Sequence, residues 1–265
     1  MEYEIVKLNT ARNCLRYIIR AYNITELYLP YYLCPAIRNS ALKENCKLKF
    51  YHIKENFMPA SDFPAEAYIL YPDYFGICGE NIENLEKLYK NLIIDNAHAF
   101  FSQPKGIACF NSVRKFFPSV RNGAFLYTKK LLHTKLEKDF YFYEQKELSF
   151  EEICKNENLL DNEDIKLISD CSLKYFLQSD LNLTKQQFCK NFSDYAEKFA
   201  HKNELKIHLH SNAVPFKYPY LAETEEAADE IVRFAVKKNK IIYRYWHNLP
   251  KSFKERIFYT RLVAL

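Results

Sequence analysis

The sequence predicts an α/β protein, an open and largely parallel sheet covered on both faces, followed by a smaller α+β unit. Short apolar runs alternate with segments of helical periodicity through the first half of the chain, and near residue 131 this alternation gives way to charged helical sequence. Leu15, Ile18, Ile19 and Tyr22 recur at helical spacing after Asn9-Thr10, so a helix opens near Thr10. Glu26 to Leu29 reads as a first strand stopped by Pro30, Pro35 to Glu44 as a helix, and Leu48 to Ile53 as the second strand. Tyr68 to Tyr71 is the third strand, Asn81 to Lys90 a helix, Leu92 to Asp95 the fourth strand, Ile107 to Phe110 the fifth and Ala124 to Tyr127 the sixth. Residues 131–199 are helical in pattern. Beyond them Val214 to Leu221 reads as extended, Glu223 to Lys238 as a helix and Ile241 to Trp246 as a strand, which divides the chain into residues 1–180 and 181–265.

With 265 residues, 48% apolar and 27% charged, the chain has material for one sizeable core and a charged surface. No stretch approaches the roughly 18 uninterrupted apolar residues that cross a bilayer, and Met1-Glu2-Tyr3-Glu4 lacks the basic start of a signal peptide. Both points lead to the expectation of a cytoplasmic protein without membrane association. The eight cysteines form no CxxC pair and several sit in apolar runs such as Ile107-Ala108-Cys109-Phe110, so reduced, buried thiols are expected. The net charge of +5 is spread along the chain without an RNP-type or helix-turn-helix pattern, which argues against a nucleic-acid partner. His208 and His210 lie at alternate positions but lack a third ligand, so no metal site is expected. Only four glycines occur, and no GxGxxG or Walker loop is formed; any phosphate must be held by another device.

In a parallel α/β sheet, ligands gather at the carboxyl ends of strands, so polar residues directly after apolar runs are the first candidates. Asp95 ends the fourth run and His98 follows three residues on; a turn-forming carboxylate and a core histidine are the structural alternatives. After the fifth run, Ser112-Val113-Arg114-Lys115-Phe116-Phe117 sets a lysine between an arginine and two phenylalanines. Apolar surroundings and a neighbouring cation each lower a lysine's pKa and make it nucleophilic, whereas an ordinary surface lysine is the alternative. Thr10-Ala11-Arg12-Asn13 opens the first helix, where free N–H groups and the helix dipole can receive a phosphate, or where Thr10 serves only as a cap.

Taken in order, these segments resemble the DegT/DnrJ/StrS family of sugar aminotransferases, pyridoxal-phosphate enzymes of fold type I. Leu8 to Leu15 is similar to the family's Ser-Gly-Thr-x-Ala-Leu phosphate turn, Leu29-Pro30-Tyr31-Tyr32 to its Val-Pro-x-Tyr segment, and Tyr74-Phe75-Gly76 to its aromatic-Gly step. Asp95-Asn96-Ala97-His98-Ala99 is similar to the family's Asp-x-Ala-(Gln/His)-Ala, and Ser112 to Lys115, with Gly123-Ala124 behind it, to the lysine loop and the glycine strand that follows. The resemblance implies the large domain of fold type I with a small C-terminal domain, and pyridoxal 5'-phosphate as cofactor. By the same resemblance Lys115 is the Schiff-base lysine, Asp95 pairs with the pyridine nitrogen and His98 approaches the phenolic oxygen. Thr10, Ala11, Arg12 and Ser112 surround the phosphate, and Tyr32 is the candidate for stacking on the ring, because Cys34 stands where the family often carries an aromatic. The family's Gly-x-Asn-x-Arg-Met segment has no counterpart here.

The function so implied is a homodimeric aminotransferase that moves an amino group from an amino acid, glutamate first, to a keto sugar in amino-sugar or polysaccharide biosynthesis. Two other activities stay open at this point: a pyridoxal-phosphate enzyme that does not transaminate, and a binding protein that keeps the fold without turnover.

Overall fold

The computed structural model describes residues 2–144, 150–237, 242, 244–246 and 249–265, without the side chains of residues 150, 153 and 154. The first half of the chain runs β1 (Glu4–Leu8), α1 (Ala11–Tyr22), β2 (Glu26–Pro30), α2 (Pro35–Lys43), β3 (Lys47–Tyr51), β4 (Ile69–Pro72), α3 (Gly79–Leu88), β5 (Leu92–Asn96), β6 (Ala108–Asn111), α4 (Val113–Phe116) and β7 (Ala124–Thr128). Its strands form one sheet in the order β1-β7-β6-β5-β4-β2-β3. β3, β2, β4, β5 and β6 are mutually parallel, and β7 runs antiparallel to both of its neighbours, β6 and β1. β1 therefore points the same way as the parallel group, and its carboxyl end lies on the same sheet edge.

The six strands expected from sequence are present, and one feature departs from expectation. β1 was not anticipated: it is an edge strand, mostly exposed over Glu4 to Lys7, so it carries no continuous apolar run. β7 is the antiparallel member of the largely parallel sheet that the sequence predicts. The link from β6 holds only the single turn α4, whereas a parallel return needs a longer crossover, so the chain comes back antiparallel.

Burial of both faces explains the unbroken apolar runs. Leu70, Ile93, Ala108 and Phe110 face a cluster with Leu15, Ile18 and Ile37 from α1 and α2. Their neighbours Ile69, Tyr71, Leu92, Ile94 and Cys109 face the opposite cluster with Ile82 and Leu85 of α3. α1 is held at both ends. Thr10 Oγ1 accepts from the Asn13 N–H at 3.1 Å, and Asn23, in the left-handed region at φ 54°, closes the helix onto the Ile19 and Arg20 carbonyls.

The rest of the chain comprises α5 (Phe150–Asp161), α6 (Asp170–Leu177), α7 (Leu181–Phe199), β8 (Pro219–Leu221), α8 (Glu225–Lys237), α9 (Arg256–Thr260) and β9 (Leu262–Ala264). The helical expectation for residues 131–199 holds for α5, α6 and α7; residues 145–149 lie outside the described residues. Residues 131–144 are irregular instead, because Lys138 and Leu167 bridge to each other and Leu167 also bridges to Leu8, extending the sheet beyond β1. Of the extended segment expected at Val214 to Leu221, only β8 is a strand; it pairs antiparallel with β9, a partner not expected from sequence. Ile241 and Tyr243 of the strand expected at Ile241 to Trp246 lie outside the described residues. Ile242 and Arg244–Trp246 are irregular, and Trp246 at φ 57° cannot continue an extended chain. His208 and His210 also lie in irregular chain.

The β8–β9 ribbon joins two clusters. Leu221, Leu262 and Ala264 pack with Tyr71 and Ile94 of the large sheet, and Tyr220, Val263 and Leu265 pack with α7 and α8. The seven cysteines with described side chains form no disulfide. Among the described residues no helix is long and apolar enough to cross a membrane.

Candidate active site

β1, β4, β5 and β6 all end at one edge of the sheet, so the residues that follow them converge. Asn9 and Thr10 arrive after β1, Asp73 after β4, Asp95 near the end of β5, and Ser112 and Lys115 after β6. Together with Cys34 and Trp246 they line a cavity of about 260 Å³. Thr10, Ala11, Arg12, Asp95, His98, Ser112 and Lys115, scattered over more than a hundred positions in sequence, thus share one cavity.

Asp95 is buried and its Oδ1 accepts from the Ala97 N–H at 2.9 Å. Burial raises its pKa to about 6, against the opposing pull of the Lys115 ammonium and the Ala97 N–H. Lys115 sits in the α4 turn, which Phe116 and Phe117 anchor in an aromatic cluster. Its Nζ lies 5.8 Å from the centre of the Phe216 ring. Burial holds its ammonium below the usual lysine range; Cys34 and Asp95 oppose the shift and Arg114 adds to it. Such an amine gives up its proton more readily than a solvated lysine.

His98 packs between two aromatic planes, Phe216 at 4.9 Å and Trp246 at 6.0 Å between ring centres. Burial, with the Lys115 charge nearby, holds it well below the usual histidine range, so the ring is neutral. Its Nε2 is buried with no hydrogen-bond partner among the described residues. The turn at Tyr74–Gly76 presses directly on this loop. Gly76 adopts φ +76°, and a Cβ there would lie 2.5 Å from the His98 carbonyl oxygen, so only glycine permits the approach.

Tyr32 is the one expected contact that does not line the cavity. Following Pro30 at the end of β2, it is fully buried, stacked at 5.8 Å on Tyr74 and edge-on at 4.7 Å to Trp246. It supports the wall behind Trp246, and Trp246 itself faces the cavity. From sequence, Trp246 reads only as the last residue of the strand expected at Ile241 to Trp246.

Other lining residues went unforeseen. Asp73 directly follows the apolar run of β4, the same signal that singles out Asp95. It accepts from the Cys78 N–H at 2.8 Å, and burial raises its pKa to about 7, with the Asp95 charge adding to the rise. Glu157, Leu160 and Asp161 of α5 close the cavity from above, and Arg114 joins Arg12 in binding Glu157. No local sequence signal marks α5 as part of the site, because its contacts lie more than forty residues away in sequence.

The site combines an amine of lowered pKa, a buried carboxyl, a neutral imidazole with one nitrogen unpartnered, and the N-terminus of α1. An unpartnered buried nitrogen calls for a ligand acceptor or donor, and the start of α1 suits an anion. These donors fit a phosphorylated pyridine aldehyde.

No protein-family model matches the sequence and no curated protein matches it, whereas solved structures match over nearly its whole length. A DegT/DnrJ/EryC1/StrS aminotransferase from Brucella abortus is 11% identical, with all of this chain and 80% of the other covered and a TM-score of 0.64. PseC from Helicobacter pylori, an aminotransferase involved in the biosynthesis of pseudoaminic acid, is 17% identical over 99% of this chain and 81% of its own, with a TM-score of 0.62. NtdA from Bacillus subtilis, solved with bound cofactor PMP, is 12% identical over all of this chain and 68% of its own, with a TM-score of 0.69. The chain therefore has the fold of the pyridoxal-phosphate aminotransferases.

Proposed function

We propose that the chain is a pyridoxal-phosphate-dependent aminotransferase acting on a keto sugar or related small carbonyl compound, with an amino acid, glutamate in the first instance, as donor. The observation that carries this is the convergence of Lys115 and Asp95, from the ends of β6 and β5, on one cavity beside the unpartnered His98 Nε2. The fold shared with sugar aminotransferases supports it.

In this assignment the backbone N–H groups that open α1 over Thr10 to Arg12 and the Ser112 hydroxyl would hold the phosphate. Asp95 would keep a proton on the pyridine nitrogen. His98, neutral and clamped between Phe216 and Trp246, offers Nε2 to the ring substituent. When bound, the cofactor supplies an electron sink for the bond broken at the amino-bearing carbon. Lys115 Nζ would be the amine that holds the aldehyde and the base that carries the proton between carbon centres. Trp246, at the cavity wall, keeps water from that proton. Residues 181–265 act as the smaller domain, bringing Trp246 to the cavity wall and Phe216 against His98, and the working form is a cytoplasmic homodimer.

Pyridoxal phosphate added to the purified protein should produce a visible absorbance band that Lys115→Ala and Lys115→Arg both abolish. Glutamate should then bleach the band in a stoichiometric half-reaction. Failure to form a Lys115-dependent band sinks the assignment. A band that no amino acid bleaches turns it toward a binding role.

A further inference from the structure

Two guanidiniums stand at the wall of the cavity, and both are already engaged. Oε2 of Glu157 accepts from Arg12 Nη2 at 2.8 Å and from Arg114 Nη2 at 2.9 Å, and its Oε1 pairs with Arg114 Nη1. Asp161, one helical turn further along α5, pairs with Arg12 Nη1. The arginine side chains are the more enclosed, 10% exposed for Arg12 and 24% for Arg114, against 32% for Glu157 and 47% for Asp161. The cations therefore belong to the body of the site, on α1 and immediately before Lys115, and the carboxylates belong to a covering helix.

α5 is held mainly by polar contacts: besides those ion pairs, Arg12 Nη1 donates to the Glu157 carbonyl, Lys43 to the Asp161 carbonyl, and Asn156 joins the Tyr141 hydroxyl and the Arg121 carbonyl, while Leu160 is buried and Leu159 exposed. Paired guanidiniums form a planar fork that matches an oxyanion, and two enclosed cations left without a counter-charge are costly. An incoming ligand can thus displace Glu157 only by bringing an oxyanion of its own.

We propose that Arg12 and Arg114 form the subsite for a carboxylate of the amino-acid substrate, and that Glu157 is its built-in occupant, leaving with α5 when the substrate enters. This rests on the aminotransferase function proposed above. The chain itself displays the chemistry, since the group that both arginines hold is the side-chain carboxylate of a glutamate. The phosphate is assigned to the backbone N–H groups that open α1 and to the Ser112 hydroxyl, which leaves the Arg12 and Arg114 guanidiniums for a second anion. Arg114, adjacent to Lys115 in the chain, sets that carboxylate beside the reacting amine.

Glutarate, a dicarboxylate without an amino group, tests the subsite by calorimetry on protein without added pyridoxal phosphate. Glu157→Gln should bind glutarate about tenfold more tightly than the unsubstituted protein, because its competing charge is gone. Adding Arg114→Gln should remove that gain, and any gain for inorganic phosphate should be smaller than the gain for glutarate. In the unsubstituted protein, saturating glutarate should speed amide hydrogen exchange across residues 151–161, an outcome that does not depend on how the variants fold. Equal glutarate affinity with and without Glu157, together with unchanged exchange, overturns the proposal. An equal gain for inorganic phosphate also overturns it and makes the fork a phosphate clamp. No cofactor takes part, so this result and the Lys115 absorbance succeed or fail separately.

Discussion

At the scale of single residues, the site is governed by what burial does to charge. Asp95 and Asp73 titrate near 6 and 7 because the fold penalises their ionised forms. The folded protein thus holds their protons more tightly than the unfolded chain, a stabilisation complete below about pH 4 and lost as pH rises through 6 and 7. Asp73→Asn keeps an oxygen to accept from the Cys78 N–H and removes the charge. Its stability should match the wild type near pH 4 and exceed it at pH 8 by up to about 4 kcal/mol, the free-energy equivalent of the Asp73 shift, as read by urea denaturation at both pH values. An advantage equal at both pH values would show that Asp73 is not the group responsible.

Among the elements, α1 carries the most consequence, because its first turn belongs to the cavity and its body to the core. Nine of its side chains from Arg12 to Ala21 are buried, yet the polar ones are satisfied: Arg16 by Glu44 at 2.6 Å, and Asn13 by Asn9 and the Asp164 carbonyl. Thr10→Ala removes the only side-chain cap of this helix and should cost about 1 kcal/mol of stability. If the helix start also holds the phosphate, affinity for pyridoxal phosphate should fall in the same variant, whereas Asn23→Gly at the far end should leave it unchanged. Fluorescence titration separates the two. This element was legible from Asn9-Thr10 and the spacing of Leu15, Ile18 and Ile19 alone, because a capping residue and an apolar repeat are both local signals.

Across the whole molecule, one buried carboxylate fastens the C-terminal segment to the sheet. Glu255, fully buried, accepts from the Ile53 N–H at 2.9 Å and pairs with His52 Nδ1 at 2.7 Å. The contact spans about two hundred residues and fixes α9, whose Phe258 packs on Tyr32 behind Trp246. Glu255→Ala leaves a buried N–H unpaired and should cost roughly 1–3 kcal/mol, while Glu255→Gln, which keeps the acceptor, should cost less. Loss of tryptophan fluorescence intensity or a shift of its maximum in the alanine variant would report the disturbed cavity wall. An unchanged spectrum and midpoint would show that the anchor is not Glu255.

The sequence by itself determined the strands buried on both faces, the capped first helix and the polar residues at strand ends, because each depends on local periodicity and on the chemistry of a few adjacent residues. Asp95 was legible because it ends an apolar run, His98 because it stands three residues on, and Lys115 because it lies between an arginine and two phenylalanines; the roles of all three came from the family resemblance. Tertiary structure alone decided that β1 joins the sheet edge and that β7 reverses, since an exposed edge strand has no apolar run and strand direction depends on the path of the connection. It alone turned Tyr32 away from the cavity, brought Trp246 in, and laid Glu157 across Arg12 and Arg114. Those contacts join residues separated by tens to hundreds of positions, and packing rather than neighbouring sequence selects them.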